Sequence, residues 1–200
     1  MGDSRRFDEA VGAADAGLAV NPNNPNLYLA RAGPEIALGR SDEAKSDLQQ
    51  GIRLSPRDPF VGFFRTELGD IEIGAGRPEA ATVEYRKALD AGDHTYWVYA
   101  NLAASYALLG KMDEAKPFVA ETLRLNPIFT IKWYREHVPY DLPTRDEGLR
   151  KRVLRKSEGG ASTRQVGYYL HRFDECGLTP QLRASSAAIC DVPFASIHDV

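Results

Sequence analysis

Four histidines (His94, His137, His171 and His198), two cysteines (Cys176 and Cys190) and recurring acidic pairs such as Asp42-Glu43 and Asp113-Glu114 are the side chains here with the chemistry to ligate a metal or move a proton. Their spacing argues against both uses. The histidines show no His-Glu-x-x-His or paired-ligand interval, so a metal site would have to be assembled across distant segments. The cysteines lack the paired spacing of a structural zinc site and read as free thiols, a disulfide between them being disfavoured in a reducing compartment. No Gly-x-Ser-x-Gly elbow, phosphate-binding loop or dinucleotide fingerprint occurs, and Gly74-Ala75-Gly76 reads as the end of a helix, not the start of one. The acidic pairs return at the same place in successive segments, where they oppose the positive end of a helix dipole; that is a capping role and not general acid-base catalysis. The expectation is a non-enzymatic chain with no cofactor, no metal and no catalytic residue. Arg150-Lys151-Arg152, with Arg155 and Lys156, reads as a solvated helix face near a C-terminal dipole end, the alternative being contact with acidic partners or phosphates.

The elements that would position these residues are set out by a recurring turn. Gly39-Arg40-Ser41-Asp42-Glu43-Ala44 returns as Gly76-Arg77-Pro78-Glu79-Ala80-Ala81 and as Gly110-Lys111-Met112-Asp113-Glu114-Ala115, and the equivalent alanines Ala10, Ala44, Ala81 and Ala115 lie 34, 37 and 34 residues apart. Each glycine suits the left-handed backbone that ends one helix, and Ser41 is expected to cap the next. Asn21-Pro22, Ser55-Pro56 and Asn126-Pro127 close the second helix of each unit, because proline disfavours helix in the residue before it and cannot donate to the ladder. With 200 residues, 43% hydrophobic content and a formal charge of −3, the chain can bury a modest core and lacks the basic footprint of a nucleic-acid binder. No run of about 18 apolar residues is present to span a membrane, and Met1-Gly2-Asp3-Ser4-Arg5-Arg6 lacks the apolar core of a secretory signal, so a cytoplasmic location is expected.

A period of about 34 residues with two helices per unit resembles the tetratricopeptide repeat (TPR) family. Tyr99, Leu102, Ala103, Tyr106, Gly110, Ala115 and Pro127 fall at the family's aromatic, aliphatic, small, turn and terminating positions, and Leu68, Gly69, Gly76, Ala81, Tyr85 and Ala88 take the equivalent places one unit earlier. The first unit keeps Tyr28, Ala32, Gly39, Ala44, Leu48 and Pro56 but puts Arg31 and Glu35 at normally apolar positions and Pro34 inside a helix, where a kink is expected. The resemblance implies an all-α, right-handed α-solenoid of antiparallel helix pairs. On this grid residues 5–20 are an unpaired second helix of a truncated repeat. Three pairs fill 25–125 (25–54, 58–91 and 94–125). Residues 128–157 form an incomplete repeat carrying Trp133, followed by a helix opened by a Thr144 to Glu147 capping box, its Leu149, Val153 and Leu154 laid over the array's open end. Residues 161–200 contain no lysine, lose the grid and read as a tail, with a helical candidate at 162–175 that could dock back and mostly disordered residues beyond Gly177.

Arrays of this family bind partners in a concave groove lined by the first helix of each pair, which here carries Asn26, Leu29, Phe63, Thr66, Asp70, Trp97, Asn101 and Ala104. The resemblance therefore implies a protein-interaction module holding a peptide or protein segment there, with aromatic anchors supplying most of the energy. The Lys/Asn/Arg set with which some TPR domains hold a peptide carboxylate is absent from these positions, which argues against a chaperone tail as ligand. Leu54-Ser55-Pro56-Arg57-Asp58-Pro59, Asn126-Pro127-Ile128-Phe129-Thr130-Ile131-Lys132-Trp133 and Glu147-Gly148-Leu149-Arg150-Lys151 also resemble the C-terminal TPR regions of bacterial signalling proteins headed by a class III adenylate/guanylate cyclase or a winged-helix regulator. That resemblance implies, as the alternative, a regulatory or oligomerisation segment. A start inside a repeat and a foreign tail lead to the expectation of a truncated or frame-shifted remnant of a longer gene, or of an excised fragment. Phe7, Val11 and Leu18, on a helix without its partner, are expected to leave an apolar face open for a second copy.

Overall fold

A computed structural model describes residues 2–130 and 143–150, and every element among the described residues is a helix. They run α1 (Gly2–Val20), α2 (Pro25–Ala37), α3 (Ser41–Leu54), α4 (Val61–Gly74), α5 (Pro78–Asp90), α6 (Tyr96–Leu108), α7 (Met112–Leu125) and α8 (Pro143–Arg150). Each of α1 to α6 packs on the next in sequence, and α2 touches α4 as α4 touches α6. Short connections force neighbours antiparallel, and contact between alternate helices on one side curves the stack. The fold is an α-solenoid whose inner, concave face is made by α2, α4 and α6. None of the described helices is long and apolar enough to cross a membrane.

Local chemistry accounts for the punctuation. Gly39, Gly76 and Gly110 adopt φ of 77°, 72° and 74°, a left-handed backbone that costs glycine nothing. The residue after each glycine donates its backbone N–H five residues back, Arg40 to Glu35 at 2.8 Å, Arg77 to Glu72 at 2.9 Å and Lys111 to Tyr106 at 2.9 Å, which closes the helix end. Asp42 and Glu43, Glu79, and Asp113 and Glu114 occupy the first turns of α3, α5 and α7. Alanine at Gly39, Gly76 or Gly110 meets no steric obstacle yet must hold a positive φ, so each substitution is expected to cost about 1 kcal/mol in urea unfolding. A neutral result would show that the turn relaxes.

Several local expectations need correction. Ser41 caps nothing: α3 starts at Ser41 itself, Arg40 stands at the cap position, and no side chain bonds there. The side-chain cap appears instead on α2, where Asn24 Oδ1 accepts from the Asn26 backbone N–H at 3.0 Å. Thr144 likewise lies inside α8, whose first residue is Pro143. Helix α2 starts at Pro25 and continues through Pro34 to Ala37. Pro34 sits near the helix end, where its missing donor removes a single ladder bond, while its own carbonyl still accepts from Leu38 N–H at 3.0 Å. Phe7, Val11 and Leu18 are half-buried, since at helical spacing they share a stripe with the buried Ala10 and Ala14, and α1 packs on α2. Trp133, Val153, Leu154, Lys151, Arg152, Arg155, Lys156, both cysteines, His137, His171, His198 and the 161–200 segment lie outside the described residues.

The core has two parts. Ala32, Ile36, Ala44, Leu48, Phe64, Leu68 and Ile71 join α2, α3 and α4. A larger cluster around Ile73, Tyr85, Val98, Leu102, Tyr106 and Ala115 continues through α4 to α7 and includes Phe129 and Leu149. Where small residues face rings, the helices come close: Gly51 abuts Phe64 and Gly69 abuts Tyr85.

Candidate functional site

The positions expected to line the groove divide by depth. Thr66, Asp70, Asn101 and Ala104 are buried, whereas Asn26, Leu29, Phe63 and Trp97 are half-buried. Buried polar groups require partners, and these have them. Asp70 Oδ1 on α4 accepts from the Tyr85 hydroxyl at 2.6 Å and from Asn101 Nδ2 of α6 at 2.9 Å. The Thr66 hydroxyl lies 2.8 Å from Asp93 Oδ2, with the Gly62 carbonyl at 3.1 Å as a second acceptor in reach. Asp93 Oδ1 in turn accepts from the Thr95 backbone N–H at 3.3 Å, just before α6. The structure thus brings Asp70 and Asn101 together as a polar tie between α4 and α6, and Thr66 joins α4 to the turn before α6. Asn26 and Leu29 stand apart on α2, Leu29 against the first core cluster.

The half-buried aromatics are supported from behind. Trp97 packs against the larger cluster and edge-on to Tyr96, with ring centroids 5.3 Å apart, while Tyr96 meets Phe129 at 5.9 Å. Phe63 lies 5.9 Å from Phe60. Burial pushes the Tyr96 phenol well above its ordinary titration range.

Sequence reasoning missed what covers this face. Helix α8 packs on α6 and α4, across the inner surface and not only at the end of the array. Arg145 is 1% exposed and Leu149 0%, with Leu149 inside the larger cluster. Gly148 approaches so closely that a Cβ built on it would lie 2.5 Å from the Ala104 carbonyl oxygen. The available signal was Gly148 itself, a glycine within a helical run, which marks close approach of another backbone.

Charged groups elsewhere tie the helices together. Arg31 bonds Asp47 through Nε at 2.5 Å and Nη2 at 2.6 Å, reaches Asp15 through Nη1 at 2.5 Å and lies 3.8 Å from Glu35. Glu72, at the end of α4, takes Lys45 at 2.7 Å and Arg77 at 2.5 Å; burial alone would raise its carboxyl, but these two cations hold it below the ordinary value. The early acidic residues of α3 and α7 stay exposed, and the Lys116 ammonium 2.5 Å from Asp113 lowers that carboxyl further. His94 Nδ1 lies 3.2 Å from the Tyr99 hydroxyl. Among the described residues, no three His, Cys, Asp or Glu side chains gather as a metal-holding group.

Comparison with known proteins agrees with this architecture. Residues 98–129, spanning α6 and α7, match the tetratricopeptide repeat family model. This is a TPR unit. Small glutamine-rich tetratricopeptide repeat-containing protein 2 of Saccharomyces cerevisiae is 28% identical over 61% of this chain and 32% of its own length. The Hsp70-Hsp90 organizing protein of Triticum aestivum is 32% identical over 42% of this chain and 14% of its own length. The chain thus spans about a third or less of these curated relatives. Two crystal structures of MamA share the fold: one has a TM-score of 0.54 at 23% identity, covering 72% of this chain and 84% of that one. The other has a TM-score of 0.53 at 19% identity, covering 96% and 88%. At such identities the likeness is one of fold. Neither a cyclase nor a winged-helix regulator stands among these relatives.

Proposed function

We propose that this chain is a protein-interaction module without catalytic chemistry of its own, and that the concave face of α2, α4 and α6 receives a helical or extended segment of a protein partner. The observation that carries this reading is the seating of α8: the inner face holds a stretch of polypeptide against α4 and α6, burying an apolar and a basic side chain. The relatives support it, since one is named as an organizing protein of Hsp70 and Hsp90. The half-buried Phe63 and Trp97 supply aromatic anchors at the edge of this face, while Asp70 and Asn101 hold its floor. The alternative, a regulatory or oligomerising arm of a cyclase or winged-helix regulator, rests on the 54–59, 126–133 and 147–151 runs.

The test is to identify a partner by affinity capture, purify it, and titrate it against the unaltered chain and the Phe63→Ala and Trp97→Ala variants. Truncating an aromatic anchor at an interface typically costs about 2 kcal/mol, so each variant is expected to bind at least ten-fold more weakly. Thermal melting should stay close to that of the parent. Undiminished affinity in both variants would place the partner elsewhere, and a collapse of melting would assign Trp97 to the core.

A further inference from the structure

The seating of α8 has the features of an occupant and not of a repeat helix. In the repeated pairs, each helix is 13 or 14 residues long and packs along its sequence neighbours. Helix α8, over Pro143–Arg150, lies on α6 and on the non-adjacent α4. Its buried residues follow one pattern. Arg145, Gly148 and Leu149, at i, i+3 and i+4, are buried, whereas Glu147 and Arg150 are exposed. Leu149 is the apolar anchor, and Gly148 allows backbone to meet backbone at Ala104. Arg145 is the one fully buried basic residue among the described residues, on a helix packed against α4, which carries the buried carboxylate of Asp70.

Resting on the protein-binding reading above, we propose that α8 is an intramolecular ligand that closes the concave face, and that a partner engages it by displacing α8 with a helix of the same design. That helix carries arginine, a small residue three positions later and leucine next to it. Two features make exchange physically reasonable. The occupant is held by Leu149, the buried Arg145 and the close approach of Gly148 to Ala104, a smaller contact than the two core clusters, so its local opening requires less than unfolding the array. The polar tie of Tyr85, Asp70 and Asn101 is made between α4, α5 and α6 themselves. A face closed by its own segment would bind free partners at an affinity reduced by the fraction of molecules that are open.

The test uses the full chain and a fluorescein-labelled peptide spanning residues 140–156. In the unaltered chain, amide hydrogen exchange is expected to be at least a hundred-fold faster in α8 than in α4 and α6. Leu149→Asp should undock α8, and fluorescence anisotropy should then show the labelled peptide binding at least ten-fold more tightly than to the unaltered chain. A peptide carrying Gly148→Leu should bind neither protein, because its bulk meets the Ala104 carbonyl. The proposal is overturned if α8 exchanges at the same rate as α4 and α6, if the peptide binds both proteins equally or not at all, or if Leu149→Asp abolishes cooperative melting, which would make α8 a structural part of the array. These outcomes are independent of the partner titration with Phe63→Ala and Trp97→Ala, which alone decides the broader reading.

Discussion

Gly51→Ala and Gly69→Ala are each expected to destabilise the protein by about 2–3 kcal/mol, although alanine is the better helix former by about 1 kcal/mol. The reason is overlap. A Cβ on Gly51 would lie 2.1 Å from Phe64 Cε1, and one on Gly69 would lie 2.4 Å from Tyr85 Cε1, both far inside the distance at which carbon atoms can rest. Neither ring has room to retreat. Phe64 and Tyr85 are both fully buried, and Tyr85 is also held by its 2.6 Å bond to Asp70. Moving Tyr85 would therefore disturb the Asp70 to Asn101 bond at 2.9 Å, so the change on α4 is expected to loosen α6 as well. Gly12 and Gly33 provide the control. They lie within α1 and α2 with nothing near the site of a Cβ, and alanine there should stabilise by roughly 0.5–1 kcal/mol. Urea-unfolding midpoints of the four variants check the argument, which fails if Gly51→Ala behaves like Gly33→Ala.

The second large effect lies at the charge cluster between α1, α2 and α3. Arg31 stands among Asp15, Glu35 and Asp47, and Asp47 and Glu35 are buried. Replacing Arg31 with methionine keeps the apolar stem and removes the cation, leaving buried carboxylates uncompensated, and should cost roughly 3 kcal/mol at neutral pH. Glu35 is the sensitive member. Burial, with the Asp47 charge adding to it against the opposing pull of Arg31, pushes its carboxyl up from 4.5 to about 7. Between those two pH values the native protein holds a proton that the unfolded chain has released, so the stability contributed by neutral Glu35 is complete below about pH 4.5 and is lost as pH rises through 7. Glu35→Gln abolishes that dependence and should exceed the parent by about 2–3 kcal/mol at pH 8, with the advantage gone near pH 4.5. In Arg31→Met the loss should shift to higher pH, because the cation that draws the proton off Glu35 is gone. Unfolding midpoints of parent and variant between pH 4.5 and 8.5 decide this: parallel profiles for the parent and Glu35→Gln would show that Glu35 is ionised throughout.

Both results concern residues that the sequence marks only in part. Gly69 stands out as a small position where paired helices approach, but Gly51 does not, because the ring it meets belongs to the next unit. Arg31 and Glu35 look like misfits at apolar positions. Their explanation needs Asp15 and Asp47, which lie sixteen residues to either side of Arg31 and meet it only when α1 and α3 flank α2. Among the groove positions, helical spacing places Thr66, Asp70, Asn101 and Ala104 on the inner helices, but spacing cannot show that the first three find their partners within the protein or that Ala104 lies beneath Gly148.

What the sequence determined by itself is local: the glycine turns with positive φ, the acidic residues in the first turns after them, the prolines after α1, α3 and α7, and hence a succession of helix pairs. Each depends on backbone conformation and hydrogen bonds within a few residues, which composition and spacing dictate directly. What only the tertiary structure decided is which surfaces those helices leave open. Helix α8 folds back over α4 and α6, Arg31 gathers three carboxylates, and α1 hides most of its apolar stripe against α2. These depend on groups distant in sequence competing for the same buried space, and that competition is settled by packing, where a glycine opposite a carbonyl or a carboxylate beside a guanidinium decides the outcome.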